Sequence, residues 1–179
     1  MAKNGLDNPG FFGPPEDRWK TAPRGGEFNY YSAHDQRQAL ATTGPHGIGW
    51  ESAAAAYHMS YILGNDQSGY RSAARITSAS LAAGYRFTIL SAASEGKSTL
   101  VVIRNDGVAP LYYDAWPSLG GTRSRSSLKG LLPGESRGFD IPAAPSPGLN
   151  DITSLFYIAC DRLVKGQKIQ FAADLGGNR

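Results

Sequence analysis

The spacing of apolar residues along the chain changes once, near residue 85. Between residues 50 and 63, Trp50, Ala54, Tyr57 and Tyr61 recur at helical intervals and form one stripe. The run Ala53–Ala56 has the highest helix propensity available, and Gly64-Asn65-Asp66 closes the pattern. A helix is therefore expected over 50–63. A second is expected within 69–83, ended by Gly84 as a C′ residue. From Tyr85 the period becomes two, with Tyr85, Phe87 and Ile89 alternating with Arg86, Thr88 and Leu90. Strands are then expected at 99–104, 109–116, 136–141, 152–161 and 167–173, with a polar segment at 122–127. Asn105-Asp106-Gly107, Gly120-Gly121 and Pro133-Gly134 are among the turn signals that separate them. Six or seven short strands over about 90 residues is the pattern of an antiparallel, immunoglobulin-like β-sandwich.

Residues 1–49 have no such period. Gly and Pro interrupt them repeatedly, so regular structure there must be short. Yet Phe11, Phe12, Trp19, Phe28, Tyr30 and Tyr31 are more large apolar residues than a disordered tail carries. Phe28–Ser32 is the best strand candidate in this stretch. The fold class expected is α+β, with a loop-rich, helix-containing segment at 1–84 and a β-sandwich at 85–179. A hydrophobic fraction of 41% and a charged fraction of 18% suit a globular core. A complete (β/α)₈ barrel typically takes about 250 residues, so 179 cannot hold one beside a sandwich.

The formal net charge is +3, with Lys and Arg scattered and no basic stripe interleaved with aromatics, which argues against nucleic acid as a partner. Phosphate-loop and dinucleotide glycine patterns are absent, and no cofactor is expected. No apolar run approaches the length of about 20 residues that spans a bilayer. The first residues lack the apolar stretch of a signal peptide. A start at an internal Met would look the same, and in that case a secreted or cell-surface protein is expected. The single Cys160 lies in an apolar run and reads as an inert thiol. His34, His46 and His58, twelve residues apart, match no metal-ligand spacing, so no metal is expected.

Six phrases in order carry a resemblance: Arg24-Gly-Gly-Glu27, Tyr57-His-Met-Ser-Tyr61, Ala83-Gly-Tyr-Arg-Phe87, Val102-Ile-Arg-Asn-Asp-Gly-Val-Ala-Pro110, Ser127-Leu-Lys-Gly-Leu-Leu-Pro-Gly-Glu135 and Ile169-Gln-Phe-Ala172. Together, over roughly residues 22 to 175, they resemble the domain-of-unknown-function family 4832. Its members carry a glycosidase-like (β/α)₈ barrel followed by a β-sandwich. The resemblance implies that residues 22–84 are the tail of a barrel, with a strand ending near Glu27, and that 85–175 are the sandwich. It supplies no established activity. The chain departs from the family at its front, where most of the barrel is missing, and at Leu149–Ile158, which lacks the usual glycine-bounded hairpin.

Glu27 and His58 are the catalytic candidates. A carboxylate after two glycines, at the end of a barrel strand, would sit where barrel enzymes place their sites, and the glycines would let backbone approach a sugar. Glycoside hydrolysis usually needs a second carboxylate, for which Asp35, Glu51 and Asp66 are available. The alternative is a solvated loop residue. His58 would sit mid-helix, as a sugar hydrogen-bonder, as a general acid or base, or as a structural residue. Trp19, Tyr30, Trp50 and Trp116 are candidates for stacking on a sugar, the alternative for Trp116 being packing. Three functions remain open: a fragment of a carbohydrate-active barrel enzyme, inactive in isolation; an ancillary sandwich that binds carbohydrate or braces the barrel; and a structural or adhesion module. An upstream barrel domain or a second copy of the chain is the expected protein partner, because a partial barrel leaves strand edges unpaired.

Overall fold

The computed structural model describes residues 17–28, 32–145 and 155–172. Helices and antiparallel sheets combine in an α+β chain. It divides into two compact units, one of Met1–Tyr85 with Gly107–Ala109, the other of Arg86–Asp106 with Pro110–Arg179.

The first unit contains strand β1 (Gly25–Glu27), helices α1 (Ala33–Gln38) and α2 (Trp50–Tyr57), strand β2 (Tyr61–Leu63) and helix α3 (Ala73–Leu81). β1 and β2 run parallel, with Gly25 opposite Tyr61 and Glu27 opposite Leu63. A parallel pair needs a long crossover, and here residues 28–60 with α1 and α2 supply it. Ser32 caps α1, its hydroxyl accepting from the His34 and Asp35 amides, and Ser72 caps α3 by accepting from Arg75 N–H. The core gathers around Trp50, which is 2% exposed and meets Phe28 edge-on at 5.3 Å. Its indole N–H donates to the Ala79 carbonyl at 2.7 Å, so the ring is buried with its polar atom satisfied. Arg75 ties α3 to α2, gripping both Glu51 oxygens at 2.6 and 3.1 Å while donating to Leu40 O at 3.0 Å.

The helix expected over 50–63 stops at Tyr57. His58 takes left-handed dihedrals (φ 52, ψ 50), and Tyr61, which the helical stripe included, lies on β2 with 54% exposure. Parallel pairing with β1 outcompetes the last helical turn. The start of α2 is equally constrained. Gly49 packs so closely that a Cβ there would lie 2.2 Å from the Thr42 carbonyl oxygen.

The second unit has two three-stranded antiparallel sheets. The first pairs β3 (Phe87–Glu95), β4 (Ser98–Asn105) and β7 (Ser136–Ile141), with β4 central. The second pairs β6 (Thr122–Arg123), β5 (Trp116–Leu119) and β8 (Phe156–Ala159), with β5 central. β4 shows the expected alternation: Thr99, Val101, Ile103 and Asn105 are buried, whereas Leu100 is exposed. Val101 stands opposite Phe139 and Thr99 opposite Ile141, so the buried face continues into β7. On the second sheet Leu119, Phe156 and Ile158 are buried. Each such apolar side chain contributes roughly 1.5–3 kcal/mol by leaving water. The Arg125 amide donates to Asp140 O at 2.9 Å, joining the segment after β6 to β7 of the other sheet.

Three strand expectations change. The register of β3 slips between Ile89 and Ser91, leaving Leu90 as an extra, exposed residue. Residues 110–115 form no strand. Leu111 O instead accepts from Gly130 N–H and Ala115 O from Leu128 N–H, so a buried loop rather than a neighbouring strand satisfies this segment. Within 167–173 only a single bridge, Ile169 to Ile158, is present among the described residues. The candidate strand at 28–32 lies largely outside the described residues, as do the first residues of the one at 152–161.

Asn105, at the end of β4, is fully buried and fully used. Its side-chain oxygen accepts from Arg86 N–H at 3.0 Å and its amide donates to Leu131 O at 2.9 Å. Its backbone bonds Glu135 O and Gly134 N–H. Next to it, the Arg104 guanidinium bonds Asp106 and holds that carboxyl below the usual carboxylate range, with the Thr88 hydroxyl adding a second hydrogen bond.

A depressed carboxyl pKa stabilises the fold above the ordinary value of about 3.9, and that contribution is lost as pH falls through the folded value. Unfolding measured from pH 6 down to pH 2 should therefore show a shallower loss of stability for Asp106→Asn than for the parent chain. The difference should shrink in high salt; identical slopes would rule the pair out as a contributor. Gly49→Ala should cost about 1–3 kcal/mol in urea unfolding, because backbone must move. Gly69→Ala, which meets nothing within 4 Å, is the control expected to be near neutral.

Candidate functional site

Glu27 ends β1 and is exposed. The first of the two preceding glycines has a local reason that needs no ligand. A Cβ on Gly25 would fall 2.0 Å from the tip of the Tyr61 ring, so that ring lies over the space a side chain would take. The expected approach of a sugar to Gly25 is thus occupied by Tyr61. Glu51, a possible second acid, is committed to Arg75. Asp35 stands in the first turn of α1 and Asp66 in a 3-10 segment at Asn65–Gly69. Among the described residues, no three His, Cys, Asp or Glu side chains gather as metal ligands.

His58 is not mid-helix but at the end of α2, in a left-handed conformation uncommon for a residue with a Cβ. Two contacts hold it. Trp19 stacks on its ring with centroids 3.5 Å apart and planes 11° from parallel. Its Nδ1 lies 2.8 Å from Val108 O; a carbonyl only accepts, so Nδ1 carries the proton. Arg24 completes this corner by donating from its guanidinium to Tyr57 O at 3.0 Å, while Ser60 N–H donates to Arg24 O at 2.6 Å. His58 therefore precedes the N-terminal end of the parallel pair, and Glu27 stands at the C-terminal end. The two catalytic candidates are not brought together. Trp19 and His58 make a structural corner.

The remaining aromatic candidates separate. Trp50 is sealed in the core and has no face to offer a sugar, which corrects its reading as a stacking residue. Tyr30 lies outside the described residues. Trp116 is half-buried at the start of β5, and the Arg123 guanidinium lies 4.6 Å above its ring. Asp161 bonds both terminal nitrogens of Arg123, through Oδ2 at 3.0 Å and through Oδ1. This contact holds the Asp161 carboxyl below its ordinary range.

Strand pairing explains the grouping. Ser118 stands opposite both Arg123 and Tyr157, and residues directly opposite share a face. Trp116, two positions from Ser118, shares that face too. The next rung, Pro117 with Ile158, is buried on the other face. The outer face thus carries Trp116, Arg123 and Tyr157, the last 43% exposed. Arg123, Tyr157 and Asp161 were not among the sequence candidates. The alternation Phe156-Tyr157-Ile158 marks Tyr157 as outward, but no sequence signal brings Arg123 onto Trp116.

The left-handed position of His58 gives a directional expectation. His58→Gly and His58→Ala both lose the stack and the hydrogen bond, but only Ala keeps a Cβ in the left-handed well. In urea unfolding, Ala should be the less stable by about 1 kcal/mol; the reverse order would mean that His58 is not left-handed in solution. No family model, curated protein or solved structure matches the chain.

Proposed function

We propose that this chain is the C-terminal portion of a glycoside-hydrolase-like, carbohydrate-active protein, in which an immunoglobulin-like β-sandwich serves as a carbohydrate-binding module and performs no chemistry. The carrying observation is the Trp116–Arg123–Asp161 group with Tyr157 on the outer face of one sheet. Aromatic faces pack on the C–H face of a sugar ring. A guanidinium and a carboxylate fixed by each other offer donors and acceptors for its hydroxyls without losing side-chain entropy on binding.

The rest of the chain fits this reading. Two antiparallel sheets with buried apolar faces suit a sandwich. The short parallel pair, with helices in its crossover and Glu27 at its C-terminal end, suits the last part of a (β/α) barrel. Of the carboxylates weighed as a second acid, Glu51 is committed to Arg75, and the chain alone is expected to be inactive. One observation favours the alternative of a structural or adhesion module: Arg123 already covers one face of Trp116.

A glycan array probed with the parent chain, Glu27→Gln and Trp116→Ala distinguishes these. Binding should survive Glu27→Gln and fall at least tenfold, about 1.4 kcal/mol, with Trp116→Ala. Loss with Glu27→Gln alone would move the site to the first unit. No binding by the parent chain would leave the structural module.

A further inference from the structure

Beside β8 runs an open cleft of about 670 Å³, lined on its far side by Leu163 and by residues 167–171, which bridge back at Ile169. That volume falls within the ~300–1,000 Å³ of small-ligand sites. Its polar lining includes Arg123, Tyr157, Gln167, Lys168 and Gln170, and among the described residues no Asp or Glu lines it. The outer-face group and the cleft share Arg123 and Tyr157, so they form one continuous surface.

The charge of this region is one-sided. Among the described residues of 155–172, Arg162, Lys165 and Lys168 join Arg123 against one carboxylate, that of Asp161. Asp161 is consumed by Arg123. Lys168 is exposed, and its ammonium has no ion pair among the described residues. Arg123 keeps three further N–H donors once two are spent on Asp161, and its guanidinium carbon lies 4.6 Å from the centre of the Trp116 ring. Gln167 lies in a turn closed by its own N–H to Val164 O, and its side-chain oxygen accepts from Val164 N–H at 3.4 Å, which leaves its NH₂ group as the outward donor.

We infer that this cleft is a subsite for an acidic oligosaccharide, one whose sugar carboxylate sits against Lys168 and Arg123 while a ring packs on Tyr157. The inference rests on the carbohydrate-binding reading and adds to it the charge of the ligand. The Gln167 NH₂ as donor, and the Gln170 amide as both donor and acceptor, suit hydroxyl groups. The mixture of amides with cations distinguishes this lining from a purely electrostatic patch.

The test uses the full chain and a matched pair of probes, galacturonate and mannuronate tetramers as free acids and as full methyl esters, titrated calorimetrically. The acid should bind at least about tenfold tighter than its ester. Lys168→Ala should reduce that preference to under about threefold while leaving ester affinity unchanged; Tyr157→Ala should weaken both forms equally. Both side chains are exposed, so both variants should fold, as circular dichroism checks. Equal affinity for acid and ester overturns the acidic subsite and leaves the carbohydrate reading standing. Binding of neutral glycans alone does the same. No binding of any glycan overturns both. Competition by a single-stranded oligonucleotide of equal charge, as effective as unlabelled uronate, would make the region a general polyanion surface and also overturns the subsite.

Discussion

The second unit depends on one buried amide. Asn105 ends the central strand of the first sheet, where it meets four polar groups, of which the Leu131 carbonyl is bonded away from water. Its side chain meets Arg86 N–H and Leu131 O, and its backbone meets Glu135 and Gly134. A buried donor or acceptor left unpaired costs about 1–3 kcal/mol, so this node fixes the path of the 128–135 loop as well as the strand end. The consequence reaches further. That loop places Leu128 and Leu131 in the core, and its Leu128 and Gly130 amides bond the carbonyls of Ala115 and Leu111. The irregular segment 110–115 is thereby held without a strand partner, and it leads directly into Trp116. The position of the aromatic on the outer face follows from an amide several residues away on another sheet.

Order on the outer face comes from mutual constraint. Arg123 has a long side chain that would normally sample many rotamers. Here the Trp116 ring lies beneath it and Asp161 bonds two of its nitrogens, so much of the entropy cost of ordering it is met within the fold. Because the pair is exposed, its contribution to stability is small. Its effect is geometric: a planar donor array of fixed orientation beside Tyr157. Ser118, small and buried between Arg123 and Tyr157 on the central strand, lets the two flanking side chains close over it.

Much of this was legible in the sequence, and the misses have separate causes. Period two gave β4 and β7 nearly to the residue, because one face of each is buried and alternation follows from that. The Pro133-Gly134 turn was legible because Gly134 must take φ +80 after a proline, closing with Glu135 N–H on Leu132 O. The helix over 50–63 failed at His58 because helical spacing cannot report a competing strand pair 36 residues upstream. Trp50 was indistinguishable from Trp116 in sequence, as both are tryptophans near element ends. Burial against Phe28 and Ala79 separates them. Asn105 looked like part of a turn signal, and it is one, but its buried bonds are tertiary and leave no periodic trace. Arg123 was invisible for the same reason.

The candidate centres also differ in what they require. Hydrolysis of a glycosidic bond needs two carboxyl groups at a defined separation and with different proton affinities. Glu27 stands exposed at a strand end, Glu51 is neutralised by Arg75, and His58 is spent on a stack and a carbonyl at the opposite end of the strand pair. None of these groups prepares another for proton transfer. Binding asks for less: an aromatic face, donors that do not need to be ordered, and a charge that has no ion pair among the described residues. The sheet of β5, β6 and β8 supplies the aromatic face and the ordered donors from residues that backbone pairing brings to one side, and the charge comes from Lys168 on the segment that bridges back to β8. For that reason the proposed binding rests on the outer face, where aromatic and charged side chains are grouped, rather than on the carboxylate that first draws attention in the sequence.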